Sequence, residues 1–482
     1  MRRRTALRAA AVGLAAAGTA AGASGCGSGD TDPKQISVLT VQDPFFYAVQ
    51  RLLPEFRRQT GITVRLEGLD YDTLNARSTN AFLTKQNSID VVSPDSMWLS
   101  RWANSGWLVS LDDLIARDRD EVRPDDFIPS TIHSLSEWGG HVYTLPAAAY
   151  SQVAMYRTDV FDRLGLDAPP RRTDQSWTWD DYLDRVRAID GRRVGGRTMH
   201  GTVVSGAGPQ PIVHMYSQLA ASNGARWFRS FPGSKRWDFT PTLDSPENRT
   251  ALSMFHQLYR NSPAAAVNYV WFDAGTAFSS GTVGMFYWWT PYIRLITRTT
   301  YMGKAQSPVV GRYGVAPLPQ RPGYPQKTSI GGYAFGISKY SAKRESCWRF
   351  IKWVTSAATQ RKMALLPDSL FADFARASLY GDEQVTRQYP FLDVQLRGLR
   401  DGDGKAVRPP SMNYTTIEGY YGRRLNKVLA GQDSPDSALA AVQRQAVDTM
   451  GIDGFLPWPR ASYPDTVDRT RDLLQRLSGR PS

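Results

Sequence analysis

Strand-like and helix-like segments alternate along the start of this sequence, the alternation begins again in mid-chain, and the chain is 482 residues long; together these predict an α/β protein of two lobes. An apolar content of 41% is enough for a large core, and 11% aromatic residues argue against a disordered chain. Residues 36–41 form a short apolar run suited to a buried strand, and residues 45–60 carry apolar side chains at helical spacing up to Gly61. Residues 62–66 alternate as a second strand, 71–86 read as a helix, and 89–92 as a third strand ending at Ser93, Pro94 and Asp95. A helix over 98–105 stops at Gly106. Residues 142–145 and 154–156 read as strands on either side of a loop at 146–150, and Thr178 introduces a helix over 179–189.

The strand pattern restarts at 201–204, followed by helices over 211–221 and 246–259. Residues 317–332 include Pro317, Pro319, Pro322, Pro325, Gly331 and Gly332 and read as a segment crossing between lobes. From Ser341 onward the pattern is mainly helical. The run from Asp401 to Lys405 lacks the later acidic ligands of a calcium loop and reads as a polar turn. No short internal repeat signals a solenoid.

The formal net charge is +13, and Arg2, Arg3, Arg4 and Arg8 account for part of it. The remaining arginines fall in scattered pairs such as Arg57-Arg58, Arg171-Arg172 and Arg192-Arg193, a solvated face rather than a track for nucleic acid. Residues 1–25 combine this basic start with an Ala/Gly-rich apolar stretch too short to span a bilayer, which is a secretory signal. Ala23-Ser24-Gly25-Cys26 resembles a lipobox, with Ala23 where Leu is usual, so Cys26 is expected to carry lipid and residues 26–35 to form a tether. Arg3-Arg4 resembles a twin-arginine export motif, and a Sec signal fits as well. Cys26 and Cys347 are the two cysteines and give no disulfide framework; Cys347 lies in an amphipathic helical pattern and reads as a buried thiol. The five histidines show no metal-ligand spacing, and no nucleophile elbow or phosphate loop occurs, so neither metal nor cofactor is expected.

Several short pieces, in order, carry a family resemblance: 56–64, 89–92 leading through Asp95 to 103–106, 140–146, 156–161 leading to 177–180, 278–285 before Trp288, 313–319, Gly331-Gly332 with Ser338-Lys339, and 428–431 before Ser434-Pro435. Over most of residues 36–450 the sequence resembles the family 1 extracellular solute-binding proteins of ABC importers, which include sugar-binding lipoproteins. The resemblance implies a periplasmic-binding-protein-like fold in which hinge crossings join two lobes and a ligand is trapped between them. It implies permease subunits and, through them, an ATPase as partners; the expected protein is a monomer held by its lipid at the extracellular face of the cell membrane. The matching division is lobe 1 over 36–148 and 319–357, lobe 2 over 149–318 and mainly over the helices of 358–455, and a tail over 456–482. Asp368 stands where many members have an Arg.

Sites in open α/β sheets form at the carboxyl ends of strands. That rule selects Gln42, Asp43, Asp95 and Trp98 in lobe 1, with Gly331, Gly332 and Tyr333 returning to it and Tyr150 on a loop near the hinge. In lobe 2 it selects Gln210, Trp288 and Trp289, with Tyr414 as a late contributor. Carboxylates and amides suit sugar hydroxyls and aromatic faces suit sugar C–H groups, so the expected ligand is a mono- or oligosaccharide. Each residue also has a plainer reading. Asp43 and Asp95 suit helix caps, Trp98 suits the core equally, and Trp288 and Trp289 should point to opposite faces, with Trp288 favoured for the cleft. Trp102, Trp107, Trp138, Trp348 and Trp353 read as core or rim. The alternatives are another polar solute (a polyamine or a polyol phosphate), a scaffold without transport, and a secreted glycoside hydrolase working through two carboxylates.

Overall fold

The computed structural model describes residues 32–171, 177–234, 236–297, 307–324, 327–451 and 465–480. The expected signal at 1–25 and Cys26 lie outside the described residues. Asp43 caps the first helix by accepting from the N–H of Phe45 at 3.0 Å, Pro44 occupies its first turn, and Gly61 closes it at φ 72°. Strand β1 (Gln35–Val41), helix α1 (Pro44–Thr60), β2 (Thr63–Leu69), helix α2 (Tyr71–Leu83), β3 (Val91–Val92) and helix α3 (Ser96–Asn104) follow the predicted alternation. Phe45, Val49, Leu52 and Phe56 turn one stripe of α1 into the core.

Later in the chain come β4 (Leu145–Arg157), helix α4 (Pro209–Ser222), β5 (Met285–Trp289), β6 (Tyr313–Ala316), β7 (Ile330–Ile337), helix α5 (Tyr414–Leu429) and helix α6 (Val467–Leu477). The main sheet runs β5-β4-β7-β3-β1-β2, with β6 also paired to β4. β1 pairs in parallel with β2 and β3, while β7 is antiparallel to both β3 and β4. The long strand β4 (Leu145–Arg157) takes part in two sets of pairings. Its first half pairs with β7 (Phe335 opposite Leu145, Ile330 opposite Ser151), and its second half with β5 and β6 (Trp289 opposite Gln152, Ala316 opposite Ala154).

The expected loop at 146–150 is therefore strand, because Ala147, Ala148 and Ala149 are buried and small enough for β7 to run alongside. Gly331 and Gly332 likewise open β7 and are not part of an irregular crossing. The strand expected at 201–204 is absent; that segment is buried but joins no ladder, with a single bridge from His200 to Val283 beside it. The expected polar turn at Asp401–Lys405 contains a helical turn, Gly404–Val407, capped by Asp403.

Lys405 is 1% exposed, and its ammonium bonds to Glu137 at 2.7 Å and Asp465 at 2.9 Å. This buried ionic cluster helps fasten α6, in the segment expected as a tail, against the helix Pro129–Leu135, where His133 also meets Thr470 at 3.1 Å. Cys347 is fully buried, and burial pushes its thiol up to about 12, so it is an unreactive core residue as expected. No helix among the described residues is long and apolar enough to cross a membrane.

Candidate ligand-binding cavity

The turn after β1 places Gln42 and Asp43 at the edge of a cavity of about 310 Å³, and the ends of β2 and β3 add Asp70, Tyr71 and Asp95 to its wall. Tyr150 from β4 and Gly331, Gly332 and Tyr333 from β7 line it near the crossing. The opposite wall is His214 of α4, Trp271 and Phe272 of the loop after the helical turn Ala264–Asn268, Trp289 of β5 and Tyr292. Arg408, just past the Gly404–Val407 turn, completes the lining. These residues come from widely separated parts of the chain and meet because the carboxyl ends of the β1–β3 layer face the helices and β5 of the other lobe.

Asp43 does two jobs. Its Oδ1 caps α1, and Oδ2 accepts a hydrogen bond from the Tyr150 hydroxyl. Burial raises its carboxyl to about 7, with the Tyr150 and Phe45 hydrogen bonds opposing. Asp95 sits at the N-terminus of α3 but makes no side-chain cap. Its carboxylate instead accepts from the hydroxyls of Tyr71 and Ser96, each at 2.8 Å, and lies 3.8 Å from the Arg408 guanidinium.

Arg408 is 1% exposed and satisfies its donors around the floor of the cavity: Ser329 Oγ and Ile330 O at 3.2 Å, and the His214 ring at 3.1 Å. Its guanidinium lies 5.1 Å from the centre of the Trp289 ring. His214 is held neutral, well below 6.5, first by burial and then by the charge of Arg408. Behind it, at 3.1 Å, is Glu418, which burial pushes to about 8 against the 3.0 Å hydrogen bond from Tyr414.

Of the residues expected from sequence, Gln42, Asp43, Asp95, Tyr150, Trp289, Gly331, Gly332 and Tyr333 line this cavity. Four do not. Trp98 is 2% exposed and lies beneath Tyr71, ring centres 4.6 Å apart, so it backs the wall. Trp288 is fully buried against Trp271 and Tyr292, while Trp289, the less favoured one, lines the cavity, with the two ring centres 6.4 Å apart. Tyr414 stacks on Trp227 at 5.0 Å, and its hydroxyl donates to Glu418. Gln210 stands at the rim, donating to Asp72 of α2 at 3.1 Å and so bridging the two lobes.

Gly331 and Gly332 owe their places to space. A Cβ on Gly331 would come within 3.0 Å of the Trp289 ring, and one on Gly332, at φ +116°, within 2.1 Å of Ala148 O. Asp70, Tyr71, His214, Trp271, Phe272, Tyr292 and Arg408 were not anticipated. The strand-end rule applied to β2 would have found Asp70 and Tyr71, and the aromatic cluster Tyr269, Trp271 and Phe272 was a visible signal for the opposite wall. Nothing local marks Arg408.

His133, Glu137 and Asp465 form a separate group able to hold a metal ion. The Lys405 ammonium already bonds to both carboxylates, which fills the position of a cation.

Residues 41–361 match the family described as bacterial extracellular solute-binding protein. A mannitol-binding protein of Pseudomonas aeruginosa is 25% identical over 450 residues, covering 89% of this chain and 94% of that one. Among solved structures, an ABC transporter solute-binding protein of Agrobacterium radiobacter K84 in complex with ribitol superposes with a TM-score of 0.76 at 28% identity, covering 87% of this chain and 99% of that one. The fold is also that of an Agrobacterium vitis S4 solute-binding protein with bound D-mannitol, with a TM-score of 0.74 at 23% identity and coverage of 87% and 99%.

Proposed function

The chain belongs to the bacterial extracellular solute-binding proteins of ABC transporters, and from that premise we propose that its cavity captures a monosaccharide or a linear polyol of similar size. The observation that carries this reading is the lining itself: carboxylates, phenol hydroxyls and an imidazole for hydroxyl groups, and the rings of Tyr71, Trp271, Trp289 and Tyr333 for C–H surface. A volume of about 310 Å³ lies at the low end of the roughly 300–1,000 Å³ common for small-molecule pockets, which favours a single sugar unit or a short polyol over an oligosaccharide. The relatives that bind mannitol and ribitol support the same size class. Asp43, Asp70 and Asp95 in the lining oppose a phosphorylated ligand.

The captured solute is passed to permease subunits driven by an ATPase, and the protein waits at the extracellular face of the cell membrane on a lipid attached to Cys26. It carries out no reaction on its ligand. The test is a calorimetric titration of the purified protein with mannitol, ribitol, glucose, fructose and maltose. Binding of one of the small solutes in the micromolar range or tighter, weakened at least tenfold in Asp95→Ala, is the expected result; a preference for maltose would overturn the size argument, and failure of all five would overturn the reading.

A further inference from the structure

We propose that the solute carries one ammonium group among its hydroxyls, as in an amino sugar or an amino alditol, and that the ammonium is seated against Asp43 beside the rings of Tyr150 and Tyr333. The proposal rests on the cavity being the solute site, and it concerns the charge of what enters.

The chain as a whole is strongly basic at +13, yet its cavity is acidic. Three aspartates line it, Asp43, Asp70 and Asp95, and Arg408 is the one guanidinium or ammonium group among the described lining residues. Arg408 is already occupied by Ser329, Ile330 and His214, and the carboxylate it approaches is Asp95 at 3.8 Å. Asp43 takes part in no ion pair among the described residues; its side-chain partners are the Tyr150 hydroxyl and the N–H of Phe45. A neighbouring charge that acts on Asp43 is again a carboxylate, Asp373, which is itself bonded to Arg294, Thr290 and Gln395. His214, the imidazole of the opposite wall, is neutral.

Asp43 is thus a carboxylate of the cavity wall with no cation to balance it, and burial accordingly raises its carboxyl. A hydroxyl of a neutral ligand could donate one hydrogen bond there. An ammonium donates the same bond and also supplies the missing charge in surroundings that screen poorly. Tyr150 and Tyr333 line the cavity beside Asp43, their rings edge to face at 6.0 Å. An anionic solute would meet Asp43 and Asp95 together and be repelled.

The experiment compares matched ligands on the purified protein at pH 8 by calorimetry: D-sorbitol, 1-amino-1-deoxy-D-sorbitol and its N-acetyl derivative, and likewise D-mannitol, 1-amino-1-deoxy-D-mannitol and its N-acetyl derivative. In at least one series the amine should bind tenfold or more tightly than the neutral parent, and acetylation, which removes the charge, should cancel the gain. Asp43→Asn, which keeps a capping side chain for α1, should bring amine and parent to parity. These ligand pairs test the idea on the unaltered protein even if the variant folds poorly. Neutral parents that bind as tightly as the amines overturn the ammonium and leave the solute site standing. Absence of binding by every sugar and polyol, charged or neutral, overturns both.

Discussion

Glu418 should make the stability of this protein depend on pH in a way that one substitution removes. Its side chain is buried behind His214, and burial pushes the carboxyl from its ordinary 4.5 to about 8. In the unfolded chain the same carboxyl ionises near 4.5, so between about 4.5 and 8 the folded state holds a proton that the unfolded state has released. Stability gained in this way is fully present below 4.5 and is lost as the pH rises through 8. At pH 6 the folded group lies two pH units below its midpoint, each worth about 1.4 kcal/mol, so about 3 kcal/mol should disappear between pH 6 and pH 9. Glu418→Gln keeps the shape and the oxygen that accepts from Tyr414 but cannot ionise. Urea unfolding of both proteins at pH 6 and pH 9 isolates the effect, because all other titrating groups are common to the two. The wild type should lose about 3 kcal/mol more than the variant; equal losses would refute the assignment of a neutral Glu418 in the fold.

Trp289→Ala removes the ring that faces the cavity and covers Arg408, and should weaken solute binding at least tenfold in calorimetry. Trp288→Ala, one residue away, leaves a hole in the core and should cost about 3–5 kcal/mol in denaturant unfolding. In Gly332→Ala the new Cβ would lie 2.1 Å from Ala148 O at φ +116°, so the junction of β7 and β4 must shift; a loss of about 2 kcal/mol or more is expected, and an unchanged melting temperature would contradict the strain. Lys405→Met strands Glu137 and Asp465 as buried carboxylates without their cation, at a cost of about 3–5 kcal/mol. Limited proteolysis should then cut near α6 first, and resistance equal to wild type would show that the cluster does not hold that helix.

Local chemistry made many element boundaries legible. Asp43 before Pro44, Gly61 after the last apolar repeat of α1, and the capping box of Thr178 with Asp181 each fix an element boundary through bonds made within a few residues. The carboxyl ends of strands then pointed to Asp43 and Asp95 without any coordinates, since side chains at those turns face the crevice whatever the rest of the chain does. The same local logic misread residues 146–150. A proline and three alanines resemble a loop in isolation, and only the approach of Gly331 and Gly332 from 180 residues away turns them into the middle of β4.

The sequence by itself determined the α/β class, the two-lobed family and the chemical character of the cavity wall, because short-range spacing and strand ends encode them. Tertiary structure decided which of Trp288 and Trp289 lines the cavity, that Gln210 bridges the rim to Asp72 while Trp98 and Tyr414 stand behind the lining, and that Arg408 and Lys405, unremarkable in sequence, are buried charges. The physical reason is common to all of these. A strand's alternation fixes that neighbours face opposite ways but not which way is in, and a buried cation is defined by partners such as Asp95, Ser329, Glu137 and Asp465 that the chain brings together only after it has folded.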